Sequence, residues 1–235
     1  MKPHNRFFWF GFAVAIGGVL AIAVVAFAGG GESATPSSQP ATAGTKSATL
    51  PEAQSAADAL GVFDTTRTAA DALPPAAAKE ANALASDAES VPAELQPGAF
   101  GLAQSRLLLS DVGTRGANLY AFPTSKGQVC ALFDTHYGLV GCFARFTAET
   151  PISWDVMDLD QVGAGDPPIV DGLVPDDVVS VGVSVGGELR EAVLQNNAFF
   201  YELDDATAWP EAIVVSYRDG SARTVSLVGP PSPQP

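Results

Sequence analysis

The chain is poor in the residue types from which most active sites are built. Its 235 residues include only two cysteines, Cys130 and Cys142, and two histidines, of which His136 alone lies beyond the first few residues. A closed zinc centre needs four ligands, and a single histidine between two cysteines with 11 residues between them does not supply them. A nucleophilic triad would have to use His136 as its base, and no G-x-S-x-G elbow accompanies it. Walker A, G-x-G-x-x-G and H-E-x-x-H patterns are absent, so no phosphate loop, dinucleotide fold, zinc protease or other cofactor site is expected.

Positive charge is also scarce. Twelve Lys and Arg stand against 26 Asp and Glu, a formal net charge of −14. Such a surface repels phosphate backbones, so no nucleic-acid partner is expected. High solubility, cationic partners and loosely held divalent ions are all compatible with it.

One stretch lacks charge altogether. Phe7–Ala28 is 22 residues of uncharged, mostly apolar sequence, preceded by Lys2 and Arg6 and followed first by Glu32. As a helix it would reach roughly 33 Å, enough for a ~30 Å hydrocarbon core. The basic flank predicts a cytoplasmic N-terminus and an exported remainder. Ala26-Phe27-Ala28 also has the form of a signal-peptide cleavage site, in which case the chain is secreted after Ala28. Either route delivers the rest to an extracytoplasmic space where disulfides persist. Without Lys2 and Arg6 that remainder holds 10 basic and 26 acidic residues, a net charge of −16.

Composition then divides the chain. After the cytoplasmic stub and membrane span (1–28), residues 29–56 are rich in Gly, Ser, Thr, Pro and Ala and read as a flexible linker. Residues 57–104 hold small apolar knots at Leu60/Val62/Phe63 and Leu73, then an Ala-rich piece that opens on Pro74-Pro75, as a short helix would. Residues 105–229 carry recurrent β-branched and aromatic runs between turn residues, and 230–235 form a Pro-rich tail. Strands are expected at 105–110, 117–122, 127–133, 139–146, 152–158, 178–185, 189–195, 198–203, 212–217 and 222–228. About ten short strands without helical periodicity predict a mostly β domain, an antiparallel sandwich or a barrel-like fold.

Two hairpins are specified further. Gly186-Gly187 joins 178–185 to 189–195, and a one-residue slip there would pair Val185 with Leu189 and Val181 with Val193. Asp219-Gly220 joins 212–217 to 222–228. A bulged loop there would set Ile213 and Val215 opposite Leu227 and Val225.

The order of these segments resembles a family pattern. LGVFDTTRTAADALP at 60–74 precedes SRLL at 105–108, LYAFP at 119–123 and the GQVCAL…GLVGC strands, and GLVPDDVVSVGVSV at 172–185 precedes AVLQNNAFF at 192–200. The pattern is similar to uncharacterised exported or membrane-anchored β-rich proteins of high-GC Gram-positive bacteria. It implies that 60–74 belongs to the folded domain and implies no activity. Asp177 stands where that pattern carries glycine, which leaves the turn type open.

The candidate chemical residues are few. DLDQVGAGD at 158–166 opens like a calcium loop, with Gly163 at the sixth position, but Val162 and Ile169 occupy the fifth and twelfth, where oxygen ligands are required. An irregular site from Asp158, Asp160 and Asp166 is the remaining metal candidate; the plain alternative is a solvated acidic loop. Asp176/Asp177 and Asp204/Asp205 are adjacent pairs, and neighbours on a strand point to opposite faces. Phe199 and Phe200 must likewise face opposite ways, one of them exposed or covering a second layer. Cys130 and Cys142 lie six residues either side of His136 in a predicted hairpin with its turn at 134–138. They face each other across the pair, and a disulfide there contributes on the order of 3 kcal/mol. It also separates the sulfurs from the histidine at the turn tip.

Together these features predict a non-catalytic, membrane-anchored extracytoplasmic domain that binds or senses a protein or ligand at the cell envelope. The alternative is a cell-envelope hydrolase whose two carboxylates come from separate strands. That reading requires a cleft and a raised pKa on one of them.

Overall fold

The computed structural model of the chain describes residues 54–87, 96, 98–134, 139–157, 167–204 and 209–227. The apolar run at 7–28, nearly all of the linker, the Pro-rich tail, His136, Asp205 and the metal candidates Asp158, Asp160 and Asp166 lie outside these residues. Among the described residues no helix is long and apolar enough to cross a membrane.

The described chain is mostly β and fully antiparallel. Four consecutive strands, β2 (Arg106–Val112), β3 (Ala117–Pro123), β4 (Val129–Phe133) and β5 (Leu139–Phe143), form a first sheet in chain order. A middle sheet has the order β11 (Val193–Gln195), β12 (Ala198–Glu202), β8 (Ile169–Leu173), β7 (Ser153–Met157). An outer sheet has the order β10 (Glu188–Glu191), β9 (Val178–Val185), β13 (Pro210–Tyr217), β14 (Ala222–Ser226). A two-residue ladder, β1 (Gln54–Ser55) with β6 (Arg145–Phe146), ties the start of the described chain to the end of the first sheet.

The side-chain alternation of a strand explains how the sheets stack. Leu119, Ala131 and Phe133 of the first sheet share a core with Ile169, Leu173 and Phe200 of the middle sheet. Val170 and Phe199 of the middle sheet point the other way and share a core with Val181, Val183, Ile213 and Val215 of the outer sheet. The far face of the first sheet is covered by helix α1 (Pro75–Asp87), whose Ala77 and Ala81 lie on Phe122, Cys130 and Leu132. The expected mostly β, antiparallel, sandwich-like architecture is present, as three stacked four-stranded sheets with a helix on one side. Phe199 and Phe200 are both buried because their strand is in the central layer.

That central layer contains the strand the sequence hides. No strand is expected between 158 and 178, yet all five residues of β8 are buried. Its Asp171-Gly172 dipeptide has the composition of a turn. Gly172 is needed because a Cβ there would collide with the Ser153 carbonyl oxygen and stand 2.6 Å from Cε1 of Phe199.

Both hairpin registers are also corrected. Glu188 pairs with Val185 and Leu189 with Ser184, so Gly186-Gly187 is a strict two-residue loop without a slip. Both glycines take positive φ (59° and 78°), as a type I′ turn requires. Leu189 consequently faces outward and is 60% exposed. In the second hairpin Ile213 pairs with Val225 and Val215 with Arg223, around a three-residue loop at 218–220 with Gly220 at φ 83°. The loop is longer than two residues and the apolar face is kept, but the slip runs opposite to the expected one.

The expected cross-strand staple is present. Cys130 sits directly opposite Cys142 in the β4–β5 ladder and the two are disulfide-bonded. Segment 60–74 is sewn to the same sheet by polar contacts as well as by Leu60, which is buried. The Arg106 guanidinium donates to the carbonyls of Val62, Phe63 and Thr65 (3.2–3.3 Å), and the Leu107 N–H donates to Asp71 at 2.9 Å.

Candidate functional site

Among the residues singled out from sequence, the structure brings few together. Asp204 pairs with Arg190, which also contacts Glu188 at 3.3 Å, an exposed cluster of modest energetic weight. Asp176 and Asp177 diverge as expected: the Asp176 carboxylate turns inward to accept hydrogen bonds, and Asp177 offers its main-chain carbonyl to the Arg218 N–H at 2.8 Å. The Pro175–Val178 turn closes by a Val178 N–H bond to the Pro175 carbonyl at 3.2 Å. Neither central residue takes positive φ, so Asp177 fits without glycine. No group of three or more His, Cys, Asp or Glu is arranged to hold a metal among the described residues.

Two carboxylates from separate strands do meet. Asp155 on β7 lies opposite Asp171 on β8, so both point to the face shared with the first sheet. Asp171 is fully buried, and neither carboxylate oxygen has a hydrogen-bond partner among the described residues. Burial first, then the nearby Asp155 charge, pushes the Asp171 pKa well above the ordinary carboxyl value and favours the protonated form. A hydrolytic acid must reach its leaving group, and Asp171 is enclosed between two strands and an apolar core. Neither opening described below touches it.

Those two openings adjoin at Asn196-Asn197. The pair connects β11 to β12 as a two-residue loop with Gln195 opposite Ala198, and both asparagines are left-handed (φ 46° and 67°). Asparagine tolerates this conformation and offers an amide besides. The Asn197 amide nitrogen donates to the Val174 carbonyl at 3.2 Å and to Asp176 Oδ1 at 2.7 Å. Its amide oxygen accepts from the Val62 N–H at 3.1 Å, while the Gly61 N–H reaches the same Asp176 oxygen at 2.8 Å. Asn197 and Asp176 thus lock the 60–63 turn onto the middle sheet.

On one side of this lock is an open cleft of about 440 Å³, walled by Val174, Pro175, Val178 and Leu194 and edged by Gln195 and Arg218. Arg218 is exposed and donates to the Asp176 carbonyl at 3.2 Å. On the other side a cleft of about 350 Å³ is lined by Thr65, Thr66, Thr68 and Leu107. Its one hydroxyl–carboxylate pair is Thr68 with Asp71, 2.9 Å apart. Burial alone would raise the Asp71 pKa. The N–H groups of Thr68 and Leu107, the Thr68 hydroxyl and the Arg106 charge outweigh burial and hold it below the ordinary value. A carboxylate so stabilised is a weak base. The side chains around the clefts offer hydrogen-bond donors and acceptors beside apolar walls.

Sequence reasoning missed this site because Asn196-Asn197 stood only within a family-like segment; the available signal was a paired asparagine between two strands, which marks a tight left-handed turn. Compared with protein-family models, with curated proteins and with solved structures, the chain has no match.

Proposed function

We propose that this chain is a non-catalytic, membrane-anchored extracytoplasmic domain that binds a protein or ligand at the cell envelope, through the clefts that meet at Asn196-Asn197. The observation that carries the binding reading is the chemistry of those clefts. Amides, threonine hydroxyls, one exposed guanidinium and apolar walls line them, and no strong base stands beside a nucleophile. The uncharged run at 7–28 supports the anchor, and the Cys130–Cys142 disulfide suits an oxidising compartment. Likeness to exported proteins of high-GC Gram-positive bacteria agrees with this placement.

The hydrolase alternative finds its carboxylate pair in Asp155 and Asp171, but burial separates Asp171 from any substrate. Protease treatment of intact cells expressing the full chain, followed by membrane fractionation, tests the placement. The body of the chain should be digested before lysis and should sediment with membranes when protease is omitted. Digestion only after lysis would refute the exported topology.

A further inference from the structure

The larger cleft is a split between two sheets. Strand β10 runs beside β9 with Glu191 opposite Gly182, and the Ala192 N–H still reaches the Val181 carbonyl at 2.9 Å. Continued, that register would set Ser180 against Val193, Val179 against Leu194 and Val178 against Gln195. Instead the chain leaves the outer sheet at Ala192, and β11 joins the middle sheet by pairing with β12. Over Val178–Ser180, β9 has a ladder partner only on its β13 side, and β11 has one only on its β12 side. Two unpaired strand edges therefore diverge around the cleft walled by Val178 and Leu194.

Two of the three exposed apolar side chains belong to the strands that part here. Val179, Leu189 and Val193 are the exposed large hydrophobics among the described residues, at 51%, 60% and 51%. Val179 is the extra residue of a β-bulge opposite β13, and Val193 begins β11. Leu189 belongs elsewhere, packed over Gly182 on the solvent face. Exposed acids mark both ends of the split: Glu191 at its apex, Asp176 and Asp177 at its mouth. Arg218 is the cation that lines it, in a chain of net charge −14.

We propose that this split is a strand-acceptor groove that takes an extended peptide segment of an envelope partner, apolar at alternate positions and carrying lysine or arginine at its ends. The unpaired edges of β9 and β11 supply main-chain hydrogen bonds, as in strand addition to a sheet edge. Leu194, on the cleft wall, receives the apolar side chains, and Val179 flanks them on β9. Glu191 and Asp177 attract the basic ends, and the charge of the whole chain speeds encounter. The inference rests on the binding reading above and specifies what is bound.

The test uses the full chain in lipid nanodiscs and a seven-residue probe of alternating valine and threonine with a lysine at each end. Probe binding should slow amide exchange at residues 178–180 and 193–195. Val179→Lys, at an exposed position that does not support the core, should weaken binding about tenfold, while Val193→Lys, on the opposite face of β11, should leave it unchanged. Glutamate-ended or backbone N-methylated probes should bind the parent chain at least as poorly as the lysine-ended probe binds Val179→Lys. Equal binding of the N-methylated probe, or no protection of either edge at saturating probe, overturns the groove. Photo-crosslinking in cells from Val179 and from Thr66 separates the two readings. An envelope protein captured at Thr66 alone overturns the groove and leaves the binding reading standing; capture at neither overturns both.

Discussion

Among the described residues, Asp171 is a fully buried carboxyl whose pKa is raised well above the ordinary value by burial and by the nearby Asp155 charge. Its folded pKa is raised, so the folded state holds a proton that the unfolded chain releases near the ordinary value of 3.8. Stability therefore falls as pH rises from that value up through the folded pKa. Asp71 has the opposite sign: its depressed pKa gives stability that is present above the ordinary value and lost as pH falls through the folded one. Asp171→Asn keeps the shape and removes the titration. Its melting temperature should exceed that of the parent at pH 8, and the gain should shrink toward pH 4. A constant difference across that range would show that Asp171 does not titrate as burial demands. Asn197 offers a second residue-scale test. Asn197→Gly loses the amide bonds to Val62, Val174 and Asp176 but keeps the left-handed turn, whereas Asn197→Ala loses both. Denaturant titration should find the alanine variant less stable than the glycine variant by about 1 kcal/mol; equal values would assign the whole effect to the amide.

At the scale of elements, the β4–β5 hairpin and the split of β10 from β11 were unequally readable. The hairpin announced itself through equal spacing of Cys130 and Cys142 about a turn, and the ladder places them opposite. Reducing the bond, or replacing both cysteines by serine, should cost about 3 kcal/mol in chemical denaturation. A peptide map without reductant should join Cys130 to Cys142. The 189–195 segment reads as one strand in sequence because no Gly, Pro, Asn or Asp interrupts it. It becomes two strands in two sheets because Ala192 is the last residue to bond β9, after which pairing with β12 takes over. Local propensity has no term for which neighbour a strand prefers. The hairpin registers failed for a related reason: a slip was inferred from apolar matching, but paired glycines favour the tight type I′ loop even when it exposes Leu189.

For the whole molecule, the middle sheet makes the three sheets interdependent. Each of its faces is the wall of a different core, so unfolding either outer layer exposes one side of β8 and β12. Leu119→Ala in the first sheet and Ile213→Ala in the outer sheet each remove a fully buried side chain. Each should destabilise the same single transition by about 2–5 kcal/mol. Two separated calorimetric transitions in either variant would show that the sheets unfold independently.

The sequence by itself determined the β-rich character, most strand positions, the disulfide, the scarcity of catalytic side chains and the strongly acidic charge. These follow from composition, spacing and alternation, which are local. Only the tertiary structure decided the third sheet, the burial of Asp171, the coming together of Asn197, Asp176 and Gly61, and the groove left where β11 departs from β9. Each of these depends on partners far apart in the chain. Asn197 and Gly61 meet at Asp176 where Leu60 packs in the core shared by the first and middle sheets. Asp171-Gly172 becomes a strand only when Ser153 and Phe199 close over it.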